Sequence, residues 1–308
     1  MMNKINNDSS DRGASRRHFL KYLGAMTLLF TTPALGTDLF QLLDPSGKNK
    51  DLQKAKNLLG GTSDLIASQK EIDYPSEFAI GESLALEGFQ RFGLPYKDDG
   101  LQKYLNLVGR SVAKNSPRPD IPYYFVVVDS SIYNAFACPG GIIFVSSTLV
   151  KSMKSEAELA SVLAHEISHV THRHALNTIK RGKMFEGMGK ISQATMKGKD
   201  KKRFQNVIGG LQDVLFEKGL DKNLEFEADL SGIDLVYKAG YNPKGFLRVL
   251  RMLKENEQKA EKKGSWFSTH PPLSDRIAKC EERLKNYPDA ESLAVLQDRF
   301  MIYQKKMI

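Results

Sequence analysis

Cysteine is nearly missing from this chain. Cys138 and Cys280 are the only two in 308 residues. That excludes a disulfide-built scaffold and a cysteine-rich zinc module. In an oxidising compartment the two could pair, but sequence does not place their Cα atoms within reach of each other. Two unrelated buried thiols are the simpler expectation. Internal repeats and heptad arrays are missing too, which excludes solenoids and long coiled coils. Near the N-terminus, the uncharged run Tyr22 to Thr37 has sixteen residues, short of the roughly 20 that a membrane helix needs. A concentrated basic face is also lacking. Net charge is +9. Residues 1–36 hold five Lys/Arg and two Asp/Glu, so +3 of it lies there and +6 is spread over the rest. With no recognisable module, nucleic-acid binding is not expected. The one dense run, Lys197 to Arg203, reads as a solvated loop, with attraction to an anionic membrane surface as the alternative.

What is present is an ordinary globular composition, 41% hydrophobic and 26% charged. Such a length buries a core without staples, so a metal here is expected to be functional rather than structural. At the start, SRRHFLK (15–21) places Arg16 and Arg17 before the uncharged run, which ends in Pro33-Ala34-Leu35-Gly36. This resembles a twin-arginine export signal with a peptidase site after Gly36. The alternatives are an uncleaved inner-membrane anchor or a chance basic start. No cysteine follows the expected cut, which argues against a lipoprotein. The expected destination is the periplasm or cell envelope of a bacterium.

Breakers and periodicity divide the remainder. Residues 37–75 read as a loose helical lead-in and 289–308 as a C-terminal helical tail. Between them, 76–288 form the main domain. A helix is expected from Ser76 to Phe92, capped by Ser76 and stopped by Gly93. Another spans Asp99 to Lys114. YYFVVVD (123–129) and GGIIFVS (140–146) read as strands. Ser155 and Glu158 form a capping box ahead of a helix to about Asn177. Helices follow at Lys222–Lys238, after Asn242-Pro243, and from Ser274 to before Pro288. The fifty residues 175–224 read either as a mobile lid or as a plain helical connection.

VLAHEISHVTHRHAL (162–176) holds four of the six histidines. Residues four apart on a helix share a face, so His165 and His169 can present two imidazoles to one zinc ion, with Glu166 beside them. H-E-x-x-H is the pattern of zinc-assisted hydrolysis. A catalytic zinc takes three protein ligands and one open position. In EFEAD (225–229), Glu225 can complete the set, and Asp229, one turn on, can accept a hydrogen bond from a ligand imidazole. Glu227 projects to the other side. His172 and His174 read as surface groups or as supports for the ligands.

NAFACPGG (134–141), SEAELASVLAHEISHV (155–170), EFEAD, GYNP (240–243) and THPPLSDRI (269–277) together resemble one family. It comprises the zinc metalloproteases that include the CaaX prenyl protease, the HtpX membrane protease and the BepA-type periplasmic assembly proteases. The resemblance runs from about residue 78 to 288. It implies an α+β, mostly α, gluzincin-like fold with a small sheet beside the H-E-x-x-H helix. It further implies one Zn²⁺ per chain on His165, His169 and Glu225. The resemblance also implies that His270 and Arg276 reach the active site, to stabilise the oxyanion or, for His270, to cap the zinc in a latent form, and that Asn134, Ala135, Phe136 and Ala137 line the substrate cleft as an edge strand. The chain departs from the family at Cys138, where relatives carry an apolar residue, and at His172.

In this chemistry zinc activates water and polarises the scissile carbonyl, while Glu166 takes the proton and returns it to the leaving amine. The expected activity is zinc-dependent endopeptidase action on envelope polypeptides in protein quality control. The alternative is a chaperone-like envelope assembly factor with latent or minor peptidase activity.

Overall fold

The computed structural model describes residues 72–181, 199–257, 265–270 and 273–307. The twin-arginine segment 1–36, nearly all of the lead-in, and residues 182–198 and 258–264 lie outside them. The fold is α+β and mostly α. Its helices are α1 (Tyr74–Phe92), α2 (Asp99–Ala113), α3 (Ser147–Ser152), α4 (Glu156–Thr171), α5 (His174–Arg181), α6 (Lys199–Gln212), α7 (Lys222–Lys238), α8 (Lys244–Asn256), α9 (Trp266–Thr269), α10 (Leu273–Leu284) and α11 (Gln297–Gln304). A π-helical turn, Asp213–Lys218, follows α6. Among the described residues no helix is long and apolar enough to cross a membrane.

Three strands, β1 (Tyr124–Val128), β2 (Ala135–Cys138) and β3 (Ile142–Ser146), form one sheet in the order β1-β3-β2. β1 runs parallel to β3, and β2 antiparallel to it. Both faces are covered, which is why all three strands read as unbroken apolar runs. On one face Phe125, Val127, Ile143 and Val145 pack with α2, α4, α7 and α8. On the other, Val126, Phe136 and Phe144 pack with α1, α5, α6 and the π turn. The outer edge of β1 is closed by two amide side chains one turn apart on α2. Gln102 donates to Val127 O (2.8 Å) and accepts from Val127 N (3.0 Å). Asn106 does the same to Phe125, at 2.7 and 3.2 Å. A helix face thus imitates a strand and protects that edge. β2 forms the other edge.

Several boundaries differ from the sequence expectation. The cap of α1 is Asp73, which accepts from Ser76 N at 3.1 Å, not Ser76. Pro75 falls in the first turn, where a missing N–H is tolerated. Ser155 does cap α4, but the Glu158 side chain reaches Lys154 N rather than Ser155 N, so the capping box is shifted by one residue. The helix expected to run to Asn177 breaks at Arg173, which is left-handed at φ 54°. The basic run 199–203 is the opening of α6 rather than a loop. Cys138 and Cys280 are free, buried, and in separate core clusters. The described part of 175–224 is a packed wall, with Val207, Leu211 and Phe216 buried against α1 and β2.

The C-terminal segment locks the start of α4. Glu156 opens that helix, fully buried, and accepts from Tyr104 (2.7 Å), Tyr241 (2.6 Å) and Arg299 Nε (2.6 Å). The Tyr303 ring stacks on Tyr104 at 4.0 Å. Burial pushes the Glu156 carboxyl up, but the bonds from Arg299, Tyr241 and Tyr104 outweigh it and hold the group below the usual range. A carboxyl depressed by folding stabilises the protein above its unfolded value of about 4.3, and that contribution is lost as pH falls through the folded value. We expect Glu156→Gln to remove about 2 kcal/mol at pH 7. It should also flatten the fall in urea midpoint below about pH 4 that the unaltered protein shows. Urea titrations across that range check both.

Candidate active site

The site lies where α4 crosses α7. Contact there is close because Gly232 of α7 carries no side chain. A Cβ at that position would sit 3.1 Å from His165 N and 3.2 Å from its Cα. The approach places Glu225, Asp229, His165 and His169 in one buried space. His165 Nε2 and His169 Nε2 are 3.0 Å apart. Glu225 Oε2 lies 3.7 Å from the first, and its Oε1 lies 3.5 Å from the second. Two ligands at ~2.05 Å around a tetrahedral ion would be roughly 3.3 Å apart, so the spacing suits one metal ion. His270 joins them. Single donor atoms of His165, His169, Glu225 and His270 all fall within 4.8 Å of one another.

The remaining predicted residues surround this set. Asp229 Oδ1 is 2.9 Å from His165 Nδ1, the atom that faces away from the cluster. Arg276 is fully buried and spans Asp229 with Nε (2.8 Å) and Nη2 (2.6 Å). Its Nη1 donates to His270 O (3.1 Å) and lies 3.3 Å from Glu225 Oε2. Trp266 stacks on His270 with ring centroids 4.2 Å apart, and Thr269 Oγ1 contacts His270 Nδ1 at 2.9 Å. That leaves His270 Nε2 directed inward, 3.7 Å from Glu166 Oε1. Beside the cluster is a cavity walled by Phe136, Ala137 and Cys138 of β2, by Glu166, and by Leu215 and Gly219 after α6. Phe136 and Ala137 lie on the wall of this cavity, whereas Asn134 and Ala135 lie off it.

The electrostatics point the same way. Burial holds His165 below the ordinary imidazole range, and His169 and His270 well below it. They stay neutral, which is the ligand form. Burial raises Glu225 well above the usual range and pushes Glu166 up to about 8, with Arg276 opposing and Asp229 reinforcing each shift. Asp229 goes the other way. Burial would raise it, but Arg276 and the bond with His165 outweigh that. All four oxygens of Glu166 and Glu225 are buried without a hydrogen bond. Three carboxyl groups, Glu166, Glu225 and Asp229, thus share one buried cation, Arg276. A divalent ion on the histidines and Glu225 would offset that charge and engage the unsatisfied oxygens of Glu225, so the residues present fit a metal.

Peptidase family M48 matches residues 100–284 of this sequence. The chain belongs to that family. It is 27% identical over 267 residues to the beta-barrel assembly-enhancing protease of Yersinia pestis, covering 81% of this chain and 52% of that protein. The protein of the same name from Escherichia coli is 26% identical over 220 residues, 68% of this chain and 45% of its own length. Mitochondrial metalloendopeptidase OMA1 of Schizosaccharomyces pombe is 28% identical over 192 residues, 61% of this chain and 53% of its own. The chain spans about half the length of these curated relatives.

Sequence reasoning passed over Glu77 and left the place of His174 open. Glu77 is buried at the cavity wall, where it pairs with Arg118 (2.9 Å) and Arg173 (3.2 Å) and accepts from Gly140 N (3.1 Å). Nothing local in α1 signals this, because its partners are distant in the chain. His174 proves to be buried against His169, with their Nδ1 atoms 2.9 Å apart.

Removing Asp229 should strand the buried Arg276 and free the His165 ring. Asp229→Ala is expected to lose about 3–5 kcal/mol of stability and about 10- to 100-fold in metal affinity. Melting of the metal-free protein and zinc titration check the two effects separately.

Proposed function

We propose that this protein is a zinc-dependent endopeptidase of the bacterial envelope acting on polypeptides in protein quality control. The observation that carries the reading is the buried meeting of His165, His169 and Glu225 beside Glu166, whose oxygens make no hydrogen bond. Zinc on those three ligands would supply Lewis acidity toward a water and toward the scissile carbonyl. Glu166 is the general base and then the proton donor to the leaving amine, and its burial keeps a proton within its range near neutral pH. Asp229 fixes the ring of His165 so that Nε2 faces the cluster. Arg276 holds Asp229 and the His270 carbonyl. Each of its three nitrogens donates there, so in this reading its part is to position the residues that would hold the ion. Phe136 and Ala137 on the outer strand offer an extended peptide an edge to pair with, while Asn134 and Ala135 support that strand from outside the cavity.

His270 gives the reading its second element. A catalytic zinc keeps one position open, yet His270 directs a fourth donor into the set. This arrangement is a closed resting state, which His270 leaves when substrate enters and where it can then face the oxyanion. The same feature favours the alternative, an envelope assembly factor whose peptidase activity is latent. An envelope location is supported by the twin-arginine-like start and by the relatives named for β-barrel assembly.

Zinc analysis and peptide hydrolysis with the full chain test the proposal. The unaltered protein should hold about one zinc. Glu166→Gln should keep it and lose about 10²- to 10⁴-fold in kcat, and Glu225→Gln should lose the metal. A protein that holds no zinc after reconstitution overturns the proposal. If Glu166→Gln still rescues a deletion phenotype, the assembly reading replaces it.

A further inference from the structure

His174 is a buried imidazole that the proposed chemistry does not use. Only 2% of it is exposed. Its Nδ1 lies 2.9 Å from His169 Nδ1, and its Nε2 lies 3.2 Å from Glu227 Oε2. His172 covers it from outside, with rings stacked at 5.3 Å and His172 Nε2 3.0 Å from Ser231 Oγ.

Proton placement follows from one fact, and this step rests on the reading of His169 as a metal ligand. A neutral imidazole that offers its Nε2 lone pair carries its proton on Nδ1. His169 Nδ1–H then points at His174 Nδ1, which must accept. The proton of His174 therefore sits on Nε2 and is donated to the Glu227 carboxylate. Each contact in the chain Glu227, His174, His169 holds one proton, and no atom is left over. We propose that His174 and Glu227 are positioning residues for the metal site, orienting His169 and lending it carboxylate character through one intervening imidazole. Helix α7 then serves both ligand histidines: Asp229 acts on His165 directly, and Glu227 acts on His169 through His174.

The backbone supplies an independent observation. Residues five apart on a continuous helix point about 140° away from each other, so His174 could not reach His169 if α4 ran on. It does so because the helix stops at His172 and Arg173 adopts φ 54°. A side-chain-bearing residue in that region is strained, and such strain collects at functional sites. Arg173 is held there by its Nε, 3.2 Å from Glu77 Oε2. The strained turn delivers His174 beneath His169 and brings Arg173 to Glu77.

One rival use of the same atoms is a second cation on His172, His174 and Glu227, whose donors fall within 4.8 Å of one another. A cation on His174 Nε2 would drive its proton to Nδ1, against the Nδ1–H of His169. Two protons would then share a 2.9 Å contact. The two loadings oppose each other, and the relay is the one compatible with a metal on His169.

Zinc release to a chelator from the full chain tests this, with zinc stoichiometry and the melting of each metal-free variant measured alongside. His174→Phe keeps the volume but removes the acceptor, and should release zinc about 10- to 100-fold faster. His174→Asn restores an acceptor near the Nδ1 position and should recover most of that loss, which a merely space-filling role would not predict. Glu227 is half exposed, so Glu227→Ala tests the outer link without disturbing the core, and should speed release by about 3-fold or more. Release at the unaltered rate in His174→Phe or Glu227→Ala overturns the relay while leaving the peptidase reading intact. So does equal release from the Asn and Phe variants, or a second zinc that disappears with Glu227→Ala. No zinc in the unaltered protein overturns both readings.

Discussion

The buried pair of Asp229 and Arg276 is the contact on which this site depends. Both side chains are fully buried, and two guanidinium nitrogens span one carboxylate. Burial of an ion pair is by itself close to neutral for stability, because desolvation takes back what attraction gives. Here the pair does more than balance charge. Asp229 also contacts His165 Nδ1, and Arg276 also donates to the His270 carbonyl. One interaction therefore ties α7 to α10, orients His165 on α4 and anchors the turn that carries His270. Its charge is incomplete as well. With Glu166 and Glu225 alongside, the space holds three acids and one base, and this deficit is what suits it to a divalent cation.

Helix α7 shows how one short acidic sequence serves several ends. Glu225 and Asp229 are four residues apart and look inward on the same face. Glu227 lies between them and looks outward, half exposed, toward His172 and His174. Gly232, a turn beyond Asp229, lets the whole face come against His165. Without that glycine the acids would stand too far from α4 for one ion to join them. Spacing within one helix and closeness between two are thus separate requirements, met by different residues.

Legibility in the sequence divides along the same line. His165, Glu166 and His169, and then Glu225 and Asp229, could be read because helical geometry turns a spacing of four into a shared face. Ser155 could be read as a cap because its partner is three residues away. Gln102 and Asn106 closing the edge of β1 could not be, since their partners lie 25 and 19 residues off and look like ordinary core strand. The tail 289–308 looked peripheral, yet Arg299 reaches back 143 residues to Glu156. His174 could be read only as a surface group or a support for the ligands, for a different reason. Its approach to His169 needs a helix break at Arg173, and arginine is not a residue that announces a left-handed turn.

The two edges of the sheet are treated unequally, and that asymmetry bears on how a peptide would meet the site. On β1 the outward backbone groups are consumed by side chains of α2, so no strand can add there. On β2 no strand takes the outer edge among the described residues, and that edge faces the cavity beside Glu166. A chain paired along β2 would run past Phe136 and Ala137 toward the cluster, which is the geometry a peptidase needs to bring a backbone carbonyl to its ion. The π turn packs against β2 and with Gly219 completes the wall, and a Cβ on Gly219 would lie 2.2 Å from Thr269 O. That wall packs against the segment bearing His270, so the cavity beside Glu166 and the fourth donor of the cluster share one support.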